Sequence, residues 1–144
     1  MFSAANPVSI FVPLLVIVAL TFVGFVRMAA GRATAMKTGI DPNFYKAHQG
    51  GMEPAVAVVG VRHYGNLFEM PTVFYAAVLT AFVLGAVGHW TLVFAWGYVA
   101  ARLVQSAVHL TYNNPAHRGL CFVLGVVFMI ALWVNLAIAI IARV

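Results

Sequence analysis

Charge is what this chain has least of. Its 144 residues include eight Lys or Arg and three Asp or Glu. That is 8% charged, against about 25% for an ordinary soluble domain. So few charges cannot cover a soluble globule. Disorder is excluded as well, since it requires low hydrophobicity and much charge. Cysteine is nearly absent too. The single Cys121 excludes a disulfide framework and a cysteine-built metal site within one chain. The five histidines are scattered without the spacing of metal ligands. What is abundant is apolar surface: 64% of the residues are hydrophobic. At ~20 residues per membrane span, a single domain of this length has room for roughly four or five spans.

The first apolar run extends from Pro7 to Val26 and meets no charge until Arg27. It is too long for the ~7–15-residue core of a secretory signal, and no basic residue precedes it. It reads as an uncleaved transmembrane helix over about residues 7–29, with Pro13 a candidate kink. From Arg27 to about Gly51 runs the only long polar stretch, with turn signals at Gly39, Asp41-Pro42 and Gly50-Gly51. This reads as a loop, with a short interfacial helix around Phe44–His48. Glu53-Pro54 marks the start of a second helix, expected over 54–87. That length exceeds a ~30 Å hydrocarbon core, so the helix must project from it or break near Gly60, Gly65 or Pro71. A third helix is expected over 90–111, stopped by Asn113-Asn114-Pro115, and a fourth over 116–142. The basic residues concentrate in the first and third connections. The positive-inside rule therefore places those connections in the cytoplasm and both chain ends outside.

Charged and polar side chains inside apolar helices cost roughly 2.5–3.5 kcal/mol each at the bilayer centre, so they mark internal contacts or sites. On the second helix Arg62, Asn66 and Glu69 share one face by their spacing of four and three. On the third, Tyr98, Arg102, Gln105, Ser106 and His109 form a stripe, expected to face away from Val99, Leu103 and Val108. The fourth opens with His117 and Arg118. Each group has a plainer reading: self-satisfied polar residues near the headgroups, interhelical hydrogen bonding, or a snorkelling positive anchor. Asn135, deep in the fourth helix, reads as an interhelical hydrogen bond. Taken together, the three groups converge at one membrane surface. Three arginines with one glutamate suit a ligand with several carboxylates and one ammonium, such as a small anionic peptide.

The motif Arg62-x-x-x-Asn66-x-x-Glu69 with Pro71, in the stretch VRHYGNLFEMPTVFYAAVL, resembles the second-helix signature of the MAPEG family. These are membrane-associated proteins in eicosanoid and glutathione metabolism. GIDPNFYKAHQGGMEP and ARLVQSAVHLTYNNPAHR are similar to a bacterial branch of that family. The resemblance implies an all-α membrane protein, a bundle of four transmembrane helices that forms a homotrimer in a bacterial inner membrane. It implies glutathione as cosubstrate, held between subunits near the cytoplasmic side by residues matching Arg62, Asn66, Glu69 and Arg102. His109 stands where several eukaryotic members use a tyrosine to bind glutathione. Arg118 matches an arginine that stabilises the thiolate in some members, and Ser106 falls where some place a hydroxyl near the thiol. Phe122 and Met70 occupy positions that carry aromatic hydroxyls elsewhere in the family. The function so implied is that of a glutathione-dependent transferase or peroxidase in detoxification, acting on a lipophilic small molecule that arrives from the bilayer. The alternative is a non-catalytic lipid- or partner-binding protein of the same fold. Nucleic acid is not an expected partner, because the net charge of +5 is membrane-orientation signal plus buried site.

Overall fold

A computed structural model describes residues 6–40, 43–47 and 53–144. A 3-10 turn, Pro7–Ile10, leads into α1, Phe11–Lys37. The single helical turn α2 is Phe44–Ala47, α3 is Ala55–Val83, α4 is His89–Leu110 and α5 is Pro115–Ile141. Among the described residues the four long helices are each long and apolar enough to cross a membrane, and there is no strand. The protein is an all-α, multi-pass membrane bundle.

The sequence places the helices, but their ends need correction. The first helix does not give way to a loop at Arg27; it continues to Lys37. Met28-Ala29-Ala30 and Ala33 are strong helix formers, and Arg27, Arg32 and Lys37 ride on the extension without breaking it. The stop comes at Gly39, whose φ of +99° suits glycine alone. The second helix ends at Val83 rather than residue 87, because Gly85 at φ +58° closes it and Ala86 N–H returns to the Ala81 carbonyl at 2.8 Å. It is continuous through Gly60, Gly65 and Pro71, so its excess length projects beyond an apolar slab. Pro13 lies in the first turn of α1, where a missing N–H is tolerated, and explains no kink. Helical structure at Phe44–Ala47 falls within the expected segment, while His48, the Asp41-Pro42 turn and the Gly50-Gly51 turn lie outside the described residues.

The bundle is two tight antiparallel pairs, α1 with α3 and α4 with α5, joined by a thinner junction. Small residues let the first pair close. A Cβ on Gly31 would stand 2.7 Å from the Val56 carbonyl oxygen, and one on Gly60 would stand 2.9 Å from Met28 Cα. Both obstacles are backbone. Such small-residue seams drive association where lipid tails compete for apolar contacts. In the second pair Phe128 fills the space over Gly97, and Asn135 donates to Thr91 Oγ1 at 3.0 Å, the interhelical bond expected of it. Ile17, Leu67, Phe74, Tyr98 and Leu132 make the shared core. Phe22, Leu79, Val123 and Ile130 remain exposed, as lipid-facing residues are.

Outside the spans, Arg32 Nε lies 3.9 Å from Glu53 Oε1, and its guanidinium sits 5.3 Å from the Tyr45 ring centre. The three residues tie the end of α1 to α2 and to the start of α3. Burial, then the Glu53 carboxylate, pushes the Tyr45 phenol above its usual pKa.

Substituting Gly60 by Ala should lower stability by about 1–3 kcal/mol, because neither helix backbone can retreat without opening the seam. Gly65, equally helical but with nothing within 4 Å of its Cβ position, is the control: Gly65→Ala should be neutral or stabilising by up to about 1 kcal/mol. Thermal unfolding of both variants in one detergent decides the matter; equal losses would refute the seam.

Candidate functional site

Polar side chains gather where the two pairs meet, at the end of the bundle that also holds the α4–α5 turn. That turn is written into Thr111-Tyr112-Asn113-Asn114-Pro115. Asn113 takes the left-handed conformation at φ 49°, which asparagine tolerates better than most residues. Its N–H bonds the Val108 carbonyl at 2.8 Å, sealing α4. Asn114 then caps α5, its Oδ1 accepting from Ala116 N–H at 2.9 Å and His117 N–H at 3.3 Å, with Pro115 in the first helical position. The Asn113 side chain is left free to accept from Arg118 Nη1 at 2.6 Å. A turn built for chain reversal therefore also aims the arginine.

Asn66 and Glu69 of α3, Gln105 of α4, and Arg118 and Phe122 of α5 line an open cavity of about 280 Å³. A second, apolar groove of about 500 Å³ runs along the same α3–α5 seam, lined by Met70, Val73, Met129, Trp133 and Ala137. Met70 follows Glu69 directly, so the polar cavity and the apolar groove adjoin along α3.

The sequence-predicted residues do not all reach the cavity. Arg102 is 2% exposed and works behind it: Nη1 donates to Gln105 Oε1 at 2.7 Å, and Nη2 donates across to the Asn66 carbonyl at 2.6 Å. Its guanidinium thus joins α4 to α3 and orients two cavity residues. Ser106 and His109 are buried on the same face of α4 and do not line the cavity. Arg62 is exposed and also lies outside the lining. It shares a helical stripe with Glu69 but stands seven residues away, about 10 Å along the axis. The α4 stripe does not face away from Val99 and Val108, which are buried beside it; only Leu103 is turned outward. Packed between two neighbours, α4 buries a wider arc than one stripe.

One buried polar residue beside these has no role in the sequence reading. His63 is 2% exposed, and its ring meets His109 edge to face with centroids 5.0 Å apart. A buried histidine one position after an exposed arginine leaves no periodic signal, and only the α3–α4 crossing brings the two rings together.

Four membrane-crossing helices, three of which line a polar cavity at one end of the bundle, define a polytopic membrane protein. A scan against sequence models of protein families matches residues 10–138 to the MAPEG family. The chain belongs to that family of membrane-associated proteins in eicosanoid and glutathione metabolism. Searches of curated proteins and of solved structures return no match.

Arg102 should be intolerant of even Lys. A single ammonium cannot span two acceptors on two helices in the guanidinium's geometry, so Arg102→Lys is expected to cost about 1.5–3 kcal/mol. A fall in the unfolding midpoint of the detergent-solubilised variant, matched by Arg102→Met, is the check; wild-type stability in Arg102→Lys would contradict it.

Proposed function

We propose that this protein is a membrane-embedded, glutathione-dependent transferase or peroxidase acting on a lipophilic electrophile. The observation that carries the reading is the adjacency of two unlike spaces on one seam: a cavity with Arg118, Glu69 and Asn66, and an apolar groove beginning at Met70. A water-soluble thiol peptide suits the first and an electrophile partitioned in the bilayer suits the second. Each substrate reaches the shared boundary from its own solvent.

In this reading Arg118 faces the sulfur. A free thiol has a pKa near ~8.5, so little of it is thiolate at neutral pH. A guanidinium in a site shielded from water favours the anion. Lowering the thiol pKa by about two units requires ~2.7 kcal/mol of differential interaction. Asn113, bonded to Arg118 Nη1, holds the group in place. Glu69 would take the γ-glutamyl ammonium and Asn66 the peptide backbone, with Arg62 assigned to a carboxylate; Arg102, which the sequence reading also gave to a carboxylate, instead braces Gln105 and Asn66 from behind the cavity. Arg62, exposed outside the cavity of one subunit, is suited to a ligand shared between subunits, in keeping with a homotrimer whose site faces the cytoplasm. Ser106 and His109, buried behind the lining, are assigned to support near the thiol. The thiolate then attacks the electrophile. In a transferase a carbon–sulfur bond forms as the carbon's bond to its leaving group breaks, and that group departs with the electron pair. With a hydroperoxide a sulfur–oxygen bond forms as the O–O bond breaks, giving a sulfenic acid and an alkoxide that takes a proton from solvent. A second glutathione converts the sulfenic acid to disulfide and water.

The same geometry serves a non-catalytic binding protein, for which the apolar groove alone suffices. Thiolate formation separates the two readings, because scaffolding has no use for it. Glutathione titrated into the detergent-purified protein should produce a saturable ultraviolet thiolate band. Arg118→Ala should lower the thiolate-forming constant about 100-fold, the equivalent of two pKa units. Calorimetric binding without the band would favour the binding-protein reading. Absence of binding would reject glutathione.

A further inference from the structure

The end of the bundle away from the α4–α5 turn holds a second polar cavity, which the thiol reading does not use. It measures about 320 Å³ and is lined by His89, Trp90 and Thr91 of α4, by Asn135 and Ile138 of α5, and by Arg143 just beyond that helix. Along α5, Asn135 stands roughly 25 Å from Arg118 at ~1.5 Å per residue, so the two cavities are separate. The volume lies at the low end of the ~300–1,000 Å³ usual for ligand sites. It accommodates a polar headgroup but not the chains of a lipid.

Thr91, buried, fixes the polarity of the cavity floor. Its hydroxyl donates to the Ala86 carbonyl at 2.9 Å, so it meets Asn135 as an acceptor, 3.0 Å from Nδ2. The amide of Asn135 is thereby oriented, and its Oδ1 has no donor among the described residues. The floor offers an acceptor; the mouth offers charge. Arg143 is exposed, and its Nη1 donates to the Leu84 carbonyl at the end of α3, which leaves its other N–H groups available. The described acidic side chains, Glu53 and Glu69, both belong to the opposite half of the bundle. No described carboxylate neutralises this guanidinium. Nor is it orientation signal, because the basic residues that supply that signal lie at the other end. Trp90 and Ile138, both exposed, form the apolar wall. The Trp90 ring stacks on Phe94, one turn deeper, with centroids 5.8 Å apart.

We propose that this cavity binds the headgroup of an anionic glycerophospholipid that carries a free hydroxyl, of which phosphatidylglycerol is the simplest. The phosphodiester pairs with Arg143 in charge-assisted hydrogen bonds. The headgroup hydroxyl donates to Asn135 Oδ1. The acyl chains stay outside, against Trp90, Phe94 and Ile138, where a tryptophan suits the boundary between headgroups and hydrocarbon. Each feature selects against another occupant. A choline headgroup has no hydrogen to give Asn135, and an ammonium headgroup brings a second cation to a site that already holds one. A free phosphate ion has no use for the apolar wall. The bound lipid bridges the α3–α4 turn and the end of α5, where Arg143 and Leu84 already meet, so occupancy stabilises the fold.

The test uses the full chain in maltoside micelles, with lipid retention read by native mass spectrometry and stability by thermal unfolding. The probes are phosphatidylglycerol, phosphatidylcholine and phosphatidic acid of one chain composition. The wild type should hold phosphatidylglycerol about 10-fold more tightly than phosphatidylcholine and unfold at a higher temperature with it. Phosphatidic acid, anionic but without the headgroup hydroxyl, should bind several-fold more weakly than phosphatidylglycerol. Arg143→Gln should bind phosphatidylglycerol about fivefold more weakly, with phosphatidylcholine unchanged. Arg27→Gln, exposed at the other end of the bundle, should bind both as the wild type does. Equal affinity of the wild type for phosphatidylglycerol and phosphatidylcholine overturns the site, and needs no variant. So does a preference that Arg143→Gln keeps, or one that Arg27→Gln loses equally, since either reduces it to overall charge. Phosphatidic acid bound as tightly as phosphatidylglycerol overturns the hydroxyl headgroup. Stabilisation by millimolar inorganic phosphate alone overturns the lipid in favour of a free anion.

Discussion

An arginine inside an apolar bundle must be given acceptors, and most of this site follows from how Arg102 receives them. No water or lipid headgroup is at hand for a guanidinium that is 2% exposed. Its partners are Gln105 on its own helix and the Asn66 carbonyl on the neighbouring one. The second bond has structural consequences. A helical carbonyl normally accepts from the residue four further on, and here it also takes an arginine from another helix. That fixes the relative height of α3 and α4. It also places Asn66, Glu69 and Gln105 around one opening. A residue matched in the sequence to a ligand contact is therefore, in the single chain, a brace for the residues that line the cavity.

The brace matters because the apolar packing alone is uneven. The α1–α3 pair closes on glycines, and the α4–α5 pair on Gly97 and the Asn135–Thr91 bond. Between the pairs the contact is thinner, and hydrophobic association has little drive where lipid tails are equally apolar. A cavity is tolerable in that seam precisely where polar bonds substitute for close packing. The α4–α5 turn supplies the remaining element. Asn113 in the left-handed conformation both ends one helix and holds Arg118, so the position of the cavity's guanidinium is set by a backbone turn, not by a flexible loop.

Much of this was legible in the residues. Long uncharged runs gave the spans, because length and hydropathy are what a bilayer selects. Steps of three and four gave the shared faces, and Asn113-Asn114-Pro115 gave the turn. Helix ends were less legible. Arg27 looked like a boundary because charge ends an apolar run, but a helix projecting into water carries charge easily, and only the backbone conformation at Gly39 stops it. Periodicity also fixes an angle around a helix axis and says nothing of depth. Arg62, Asn66 and Glu69 share an angle, yet only the last two line the cavity. The His63–His109 contact was beyond reach for a related reason: it depends on the register of two helices, and that register is set by a hydrogen bond to a main-chain carbonyl, which has no residue signature.

The position of the cavity along the bundle is itself constrained. Among the described residues, nine of the ten charged ones belong to the half of the bundle that holds the α4–α5 turn, and Arg143 alone sits at the other end, bonded to the Leu84 carbonyl. Deeper placement would cost several kcal/mol for each guanidinium moved toward the bilayer centre. Shallower placement would separate the arginines from the apolar groove beginning at Met70 and expose them to water, where a guanidinium loses most of its hold on an anion. A charged nucleophile and a lipid-soluble partner can meet at low electrostatic cost only in the narrow zone between these limits. Asn66, Glu69, Gln105 and Arg118 stand there together because α3, α4 and α5 each enter the apolar region at that level.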